Sequence, residues 1–167
     1  ETNDSLRIVQ TLGSFGEYYK GLGNIPKAIT YFQKSLAIAR EWNNKKRIAM
    51  CLYQMGFLYA EQDFKAQALE NFQKGLTLLY ELKDTAFIIR AHIEIGRLYN
   101  LLQDTTHALQ CFNKAIWLIE RNRSGSAQIG VYHIYRQIGD MYKNNNALRQ
   151  ALLYYKRALS KAEEENN

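Results

Sequence analysis

Reactive side chains are few in this sequence of 167 residues, and none falls into a catalytic pattern. His92, His107 and His133 lie 15 and 26 residues apart on different predicted helices, whereas metal sites usually draw paired ligands from within a few residues. Cys51 and Cys111 are 60 residues apart inside apolar segments. There is no HExxH, nucleophile elbow, phosphate loop or Cys-x-x-Cys motif. The sequence therefore predicts no enzyme, no metal site and no cofactor.

A second set of polar side chains has the chemistry of recognition, because cations pair with carboxylates and an amide offers both a donor and an acceptor to a peptide backbone. Its members are Arg90, Arg97, Asn100, Arg136 and Lys143. Glu94 lies between two of the arginines at helical spacing and can neutralise part of their charge. These side chains can act together only if the elements that carry them turn them to one face.

An internal repeat predicts those elements. Four glycines are spaced by 40, 40 and 43 residues. Each is followed after three residues by tyrosine, after twelve by alanine, after sixteen by an aromatic ring and after nineteen by a small residue. The glycines are Gly16, Gly56, Gly96 and Gly139, and the alanines are Ala28, Ala68, Ala108 and Ala151. The aromatic residues are Phe32, Phe72, Phe112 and Tyr155, and the small residues are Ser35, Gly75, Ala115 and Ala158.

The spacing predicts two amphipathic helices per repeat, A and B, joined in an αα-hairpin. The glycine lies in the apolar stripe of helix A, so we expect the backbone of helix B to pack closely against it. Predicted helix caps are Asn24, Asp63, Asp84, Asp104 and Ser126. The repeats span residues 5–43, 44–83, 84–122 and 126–164 of one domain over residues 1–167. Because a hairpin cannot bury both its faces alone, the hairpins should stack into an all-α, right-handed solenoid with the A helices on the concave side.

This pattern of glycine, tyrosine, alanine, aromatic and small residues resembles the tetratricopeptide repeat (TPR) family over nearly the whole chain. The period of about 40 residues, against the family's usual 34, is similar to that of bacterial peptide-sensing regulators, kinesin light chains and Pins-type adaptors. The resemblance implies a protein or peptide binder in a signalling or regulatory protein. The carboxylate clamp of some family members is not expected, since Gly13, Glu17, Phe57 and Glu94 occupy most of its positions and only Arg90 fits.

Helix geometry turns the residues six and three before the glycine, and one and four after it, toward the concave face. The first two repeats place there Gln10, Gly13, Glu17, Lys20, Met50, Tyr53, Phe57 and Ala60. The last two place there Arg90, Ile93, Arg97, Asn100, His133, Arg136, Asp140 and Lys143. We expect Tyr53 and Phe57 to form an apolar pocket beside a cationic floor, which suits an extended acidic and apolar peptide. The two aromatic residues can equally be structural.

The net charge is +6, but the lysines and arginines are scattered among 16 acidic residues and form no basic patch. This argues against nucleic acid as the partner. No apolar run is long enough to span a membrane. The first residue, Glu1, and the missing leader suggest a segment of a longer protein, and two reduced cysteines favour a reducing compartment such as the cytoplasm. The alternative function is a structural segment inside a longer solenoid, or a self-association platform. In the last repeat Leu153 and Leu159 lack a covering helix, so we expect further chain or a partner to cover them.

Overall fold

The computed structural model describes the backbone of residues 2–121 and 130–165 and the side chains of residues 7–121 and 130–164. Within these ranges the chain forms eight α-helices and no strand. The helices are α1 (Thr2–Gly21), α2 (Ile25–Glu41), α3 (Lys45–Glu61), α4 (Lys65–Glu81), α5 (Thr85–Leu101), α6 (Thr105–Arg121), α7 (Val131–Asn144) and α8 (Leu148–Glu165). Each predicted repeat therefore corresponds to one pair of helices.

The helices fall into two compact units, Glu1–Asp84 with α1 to α4 and Thr85–Asn167 with α5 to α8. In each unit two antiparallel hairpins pack together through the second helix of one and the first helix of the next, α2 on α3 and α6 on α7. The core of the first unit is built from Ala28, Phe32, Leu36, Cys51, Leu52, Met55 and Leu58. The core of the second is built from Ile89, Ile93, Ala108, Phe112, Ala115, Ile116, Val131, Ile134, Ile138 and Met141.

An aromatic ring of helix B fills the space beside the glycine of helix A in every hairpin. A methyl carbon added to the glycine would lie 2.7 Å from Phe32 at Gly16, 3.0 Å from Phe72 at Gly56, 2.9 Å from Phe112 at Gly96 and 2.7 Å from Tyr155 at Gly139. The close approach predicted from the sequence is confirmed. The predicted contact with the backbone of helix B is wrong, because the ring sixteen residues further on occupies that space. The glycine is needed so that a flat ring can lie against the main chain of helix A.

The small residues of helix B allow a second close approach. Ser35 is buried and donates a hydrogen bond from its hydroxyl to the carbonyl of Val9 at 3.0 Å. A methyl carbon on Gly75 would lie 3.4 Å from the carbonyl oxygen of Ala49 on the facing helix. Helix B thus approaches helix A most closely through two features, the ring and the small residue three positions later.

Every described turn between helices contains one residue with positive φ. These residues are Gly23 (70°), Asn43 (49°), Asp63 (62°), Lys83 (55°), Gln103 (61°) and Asn146 (61°). Two backbone hydrogen bonds close each turn, as from the Gly23 amide to the Lys20 carbonyl and from the Asn24 amide to the Tyr19 carbonyl. The donor of the first bond is the residue in the left-handed conformation. Most of these turns therefore contain a residue other than glycine, at a conformational cost that the hydrogen bonds offset.

The helix caps follow from this turn geometry. The predicted caps Asn24 and Asp104 are confirmed, because they accept hydrogen bonds from the amides of Lys27 and His107 at 3.2 and 3.1 Å. The prediction at Asp63 is wrong. Asp63 occupies the left-handed position, one residue before the N-cap Phe64, and pairs with Lys65 at 2.9 Å.

Asn44 and Asp84 lie directly before α3 and α5. Asn44, which the sequence reading missed, caps α3 by accepting a hydrogen bond from the amide of Arg47 at 3.1 Å. The predicted cap Ser126 lies outside the described residues.

Candidate functional site

A cleft of about 460 Å³ opens between α5 and α7 in the second unit. Its walls and floor are formed by Arg97, Asn100, Leu101, Phe112, Arg136, Gln137 and Asp140. Four of these residues, Arg97, Asn100, Arg136 and Asp140, were predicted site residues. They meet because each lies one to four positions from a glycine that faces the ring of helix B, so their side chains point along the edge of the hairpin. Phe112, which is 1% exposed, is that ring for α5.

Arg97 keeps its charge accessible despite an acidic neighbour. Its guanidinium lies 3.4 Å from a carboxylate oxygen of Glu94, and the two side chains are 56% and 20% exposed. Burial raises the pKa of the Glu94 carboxyl, and the Arg97 charge and hydrogen bond oppose that rise. A contact of this length on a largely exposed arginine contributes little to stability, so the guanidinium can turn to a stronger anionic partner.

The opposite wall carries one cation and one anion. Arg136 is exposed and forms no ion pair with any residue that the structure describes. Asp140, one helical turn further along α7, accepts a hydrogen bond from the Tyr155 hydroxyl at 2.7 Å. That hydrogen bond raises the pKa of the tyrosine hydroxyl. The cleft therefore presents two available cations, and its acidic side chain, Asp140, is hydrogen-bonded to α8.

Two amide side chains add hydrogen-bonding groups to the cleft. Asn100 is half-buried on α5, and its amide makes no hydrogen bond to another residue within the described part of the chain. The amide oxygen of Gln137 is buried and likewise lacks a hydrogen-bond partner among the described residues. A buried acceptor without a partner costs about 1–3 kcal/mol, and because this oxygen is enclosed a ligand in the cleft does not reach it. The sequence reading missed Gln137, whose polar side chain two residues before Gly139 was its only signal.

The first unit has a cleft of about 260 Å³ between α1 and α3. It is lined by Gln10, Gly13, Ser14, Glu17, Phe32, Ser35, Arg47, Met50, Cys51 and Gln54. Four of these, Gln10, Gly13, Glu17 and Met50, are at positions that helix geometry predicted to face the concave side. At one rim the ammonium of Lys20 joins Glu17 at 3.0 Å and Gln54 at 3.1 Å, so this rim is already neutralised.

Tyr53 and Phe57 do not line that cleft. Tyr53 packs edge-on against Phe72 with ring centroids 5.4 Å apart, and Phe57 lies under the ammonium of Lys20, which is 5.3 Å from the ring centroid. Both side chains are half-buried. These contacts give the two aromatic residues a packing role in the first unit, and a ligand role for them stays a prediction.

Two predicted cations lie apart from the lining of the second cleft. Arg90 is exposed, with its guanidinium 5.6 Å from the ring centroid of Phe87 on its own helix. Lys143 is exposed near the end of α7. Their roles as partner-binding residues stay predictions.

The cysteines have the character of structural residues. Cys51 is buried beside Ser35, with its sulfur 3.4 Å from the serine hydroxyl, and burial raises the pKa of its thiol. Cys111 is only partly buried, and burial raises its pKa to about 11. Thiols of this kind are poor nucleophiles at neutral pH. No cluster of metal-ligating side chains occurs among the residues described, and no helix within the same ranges is long and apolar enough to cross a membrane.

Sequence profiles define the class of protein to which this repeat architecture belongs. One profile of the tetratricopeptide repeat matches residues 7–81, and a second matches residues 89–121. The chain therefore belongs to the tetratricopeptide repeat family, as the glycine-centred pattern predicted. No curated protein matches the sequence at a significant level.

Solved structures give the particular proteins that this chain is similar to. BtubC (BKLC) from P. vanneervenii is 15% identical with a TM-score of 0.85, over 95% of this chain and 65% of that one. Aspartyl phosphate phosphatase F from Bacillus subtilis is 16% identical with a TM-score of 0.82, over 95% and 41% of the two chains. A kinesin light chain with nearly identical TPR-like repeats from Podosopora anserina is 11% identical with a TM-score of 0.76, over 95% and 77%.

These likenesses confirm the all-α helical-repeat fold class. At such identities they establish the fold alone. The chain spans 65% of the BtubC structure and 41% of the phosphatase, so the activities of those whole proteins are not transferred to it.

Proposed function

We propose that this chain is a non-catalytic protein-interaction module, and that the α5–α7 cleft binds an extended, acidic segment of a protein partner. The observation that carries the proposal is the placement of Arg97 and Arg136 on opposite walls of one cleft, with the amide of Asn100 beside them. Membership of a repeat family that typically mediates protein interactions supports it.

The groups in the cleft suit a peptide better than a compact anion. Two guanidinium groups can each take a carboxylate in a bidentate contact. Asn100 can donate to a peptide carbonyl and accept from a peptide amide. A ligand that uses all three residues must present carboxylates and backbone groups along a single direction, which an extended chain does.

Asp140 restricts where the acidic residues of the ligand can lie. Its carboxylate lies in the same cleft as the two arginines but is engaged by the hydroxyl of Tyr155. An acidic side chain placed against Asp140 would be repelled, whereas an uncharged or basic one would not. The proposed ligand therefore has its acidic residues confined to the part that contacts Arg97 and Arg136.

An apolar anchor in the ligand is the second part of the proposal. The cleft of the first unit has an apolar lining that includes Phe32 and Met50, and its volume of about 260 Å³ is enough for one large side chain. Tyr53 and Phe57, which the sequence predicts to contact such an anchor, belong to the same unit but do not line this cleft. Each cleft is proposed to act within its own unit, the first-unit cleft on an aliphatic or aromatic side chain and the α5–α7 cleft on an acidic segment.

The test is a binding screen with fluorescein-labelled peptides of about twelve residues, which vary in acidic and apolar content and are read by fluorescence anisotropy. Arg136→Glu should weaken the best acidic peptide by about 5- to 30-fold, which corresponds to about 1–2 kcal/mol for a partly exposed charge-assisted contact. The matched control is Arg149→Glu, since Arg149 is exposed on α8 and does not line the cleft. Affinity should also fall as salt rises, because the contact is ionic.

Equal affinity of the two charge-reversal variants would contradict the proposed cleft. Failure of every peptide to bind the parent protein would contradict the function itself. A short duplex DNA should bind no better than a neutral peptide, since the +6 charge is not gathered into a patch.

A further inference from the structure

Two apolar residues on α8 are exposed although the same repeat positions are covered in the first and third hairpins. Leu159 lies twenty residues after the repeat glycine and is 62% exposed. At the same position Leu36 and Ile116 are 5% and 6% exposed. Leu152, thirteen residues after the glycine, is 56% exposed, whereas its equivalents Ile29 and Leu109 are half-buried.

In the first and third hairpins these positions are covered by the first helix of the next hairpin. Leu36 belongs to the same buried cluster as Leu52 and Met55 of α3. Ile116 belongs to the cluster that contains Val131, Ile134 and Ile138 of α7. The face of α8 that carries Leu152 and Leu159 is termed the α8 face. Its apolar residues match the positions of α2 and α6 on which an A helix packs.

The complementary surface is found on α1. Ile8 lies eight residues before the repeat glycine and is 50% exposed, whereas Val131 at that position in α7 is 5% exposed. Phe15, one residue before the glycine, is 44% exposed, whereas its equivalents Met55 and Ile138 are 6% and 0% exposed. This face of α1, which carries Ile8 and Phe15, is termed the α1 face. It corresponds to the face of α3 and α7 that packs against the preceding B helix.

We propose that the α8 face of one copy of this chain binds the α1 face of a second copy, so that copies associate head to tail. The contact would reproduce the packing of α2 on α3 and of α6 on α7. A second copy is the occupant because this chain carries both halves of an interface that it already uses twice internally. Since the two faces differ, each pairing leaves one free face of each kind, and association does not stop at a dimer unless a ring closes.

The strength of the contact should be modest. Two or three apolar side chains from each helix meet, which makes an interface at or below the size of about 1,200 Å² that is typical of weak or transient association. The proposal is independent of the peptide-binding cleft, because none of Ile8, Phe15, Leu152 and Leu159 lines either cleft.

The test uses sedimentation velocity and light scattering on the chain from about 5 to about 500 µM, a range chosen for weak association. The average mass of the parent should rise with concentration beyond that of two chains. Ile8→Asp removes the α1 face, and the Leu152→Asp, Leu159→Asp double variant removes the α8 face. Each should hold the mass of one chain, and circular dichroism should show parental helicity because the substituted side chains are already exposed.

Mixing the two variants distinguishes head-to-tail pairing from any symmetric contact. Each variant retains one intact face, and the intact faces are complementary, so an equimolar mixture should form dimers and nothing larger. The matched control is Leu102→Asp, an exposed leucine (48%) in the turn after α5, which should associate as the parent does.

Three results would overturn the proposal: a parent that keeps the mass of one chain throughout, face variants that associate as the parent does, or a mixture that forms no dimer. The first would leave a flanking repeat as the occupant of the two faces. The third would indicate a contact that needs both faces on each copy, whereas a contact between like faces would appear as self-association of one variant alone.

Discussion

Alanine at position 16 would place a methyl carbon 2.7–2.9 Å from three ring carbons of Phe32. Ordinary carbon–carbon contacts are about 3.5–4.0 Å, so the ring would have to move by close to 1 Å. Phe32 is 3% exposed and packed within the core of the first unit, which leaves it little room to move. Overpacking of this kind costs about 1–3 kcal/mol.

Gly13 provides the internal reference, because it lies one turn earlier on α1 and a methyl group there would have no heavy atom within 4 Å. Replacing a helical glycine with alanine gains about 0.5–1 kcal/mol from backbone entropy and helix propensity. That gain applies to both positions. The difference in unfolding free energy between Gly13→Ala and Gly16→Ala therefore isolates the overpacking cost, and we expect Gly16→Ala to be the less stable by about 1–3 kcal/mol.

Urea unfolding followed by circular dichroism measures both variants, and thermal unfolding should separate them by about 2–4 °C for each kcal/mol in a chain of this size. A third variant, Gly16→Ala with Phe32→Leu, removes the ring that the methyl group strikes. Its loss of unfolding free energy should be smaller than the sum of the losses of the two single substitutions, by a coupling energy of about 0.5–3 kcal/mol. Equal stability of Gly13→Ala and Gly16→Ala would refute the idea that the glycine makes room for the ring.

Two further predictions concern protonation and capping. The pKa of His92 is lowered from 6.5 to about 4 by burial and by the charge of Lys114, so between these values only the unfolded chain binds the proton. Stability is therefore complete above about pH 6.5 and falls by about 1–2 kcal/mol toward pH 4, and His92→Leu should remove that part of the pH dependence in urea titrations. Asp104→Ala should cost about 0.5–2 kcal/mol by loss of a cap, whereas Asp63→Gly should be neutral or stabilising because Asp63 occupies a left-handed turn position. Comparable losses at these two aspartates would contradict the turn geometry described here.

The sequence predicted the hairpins because the repeat is redundant. Four copies of a glycine, an alanine and an aromatic residue at fixed spacing specify which faces of two helices meet, even where single positions vary. The ring contact itself was missed. Spacing shows that Gly16 and Phe32 both lie on buried faces, but the placement of the ring against the glycine depends on the tilt and offset of the two helices.

Turn residues and clefts were harder to predict for physical reasons. Asp63 has the side chain of a cap, and only the backbone hydrogen bonds of the turn decide that Phe64 occupies the capping position. Arg97 and Arg136 line one cleft, as expected from their offsets from the glycine, which helix geometry fixes, and their role in binding stays a prediction. Gln137 was missed because the burial of an amide oxygen depends on neighbours from another helix, which the period of one helix does not report.

The contact between the glycine and the ring also bears on how the chain acquires its structure. The partners are only sixteen residues apart in each hairpin, so the loop that must close to bring them together is short and its entropy cost is small. A chain dominated by such local contacts has a low contact order and folds on the microsecond to millisecond scale typical of helical proteins. Each hairpin can thus pair its two helices early, but it becomes stable only when the next hairpin has been synthesised and covers its open face.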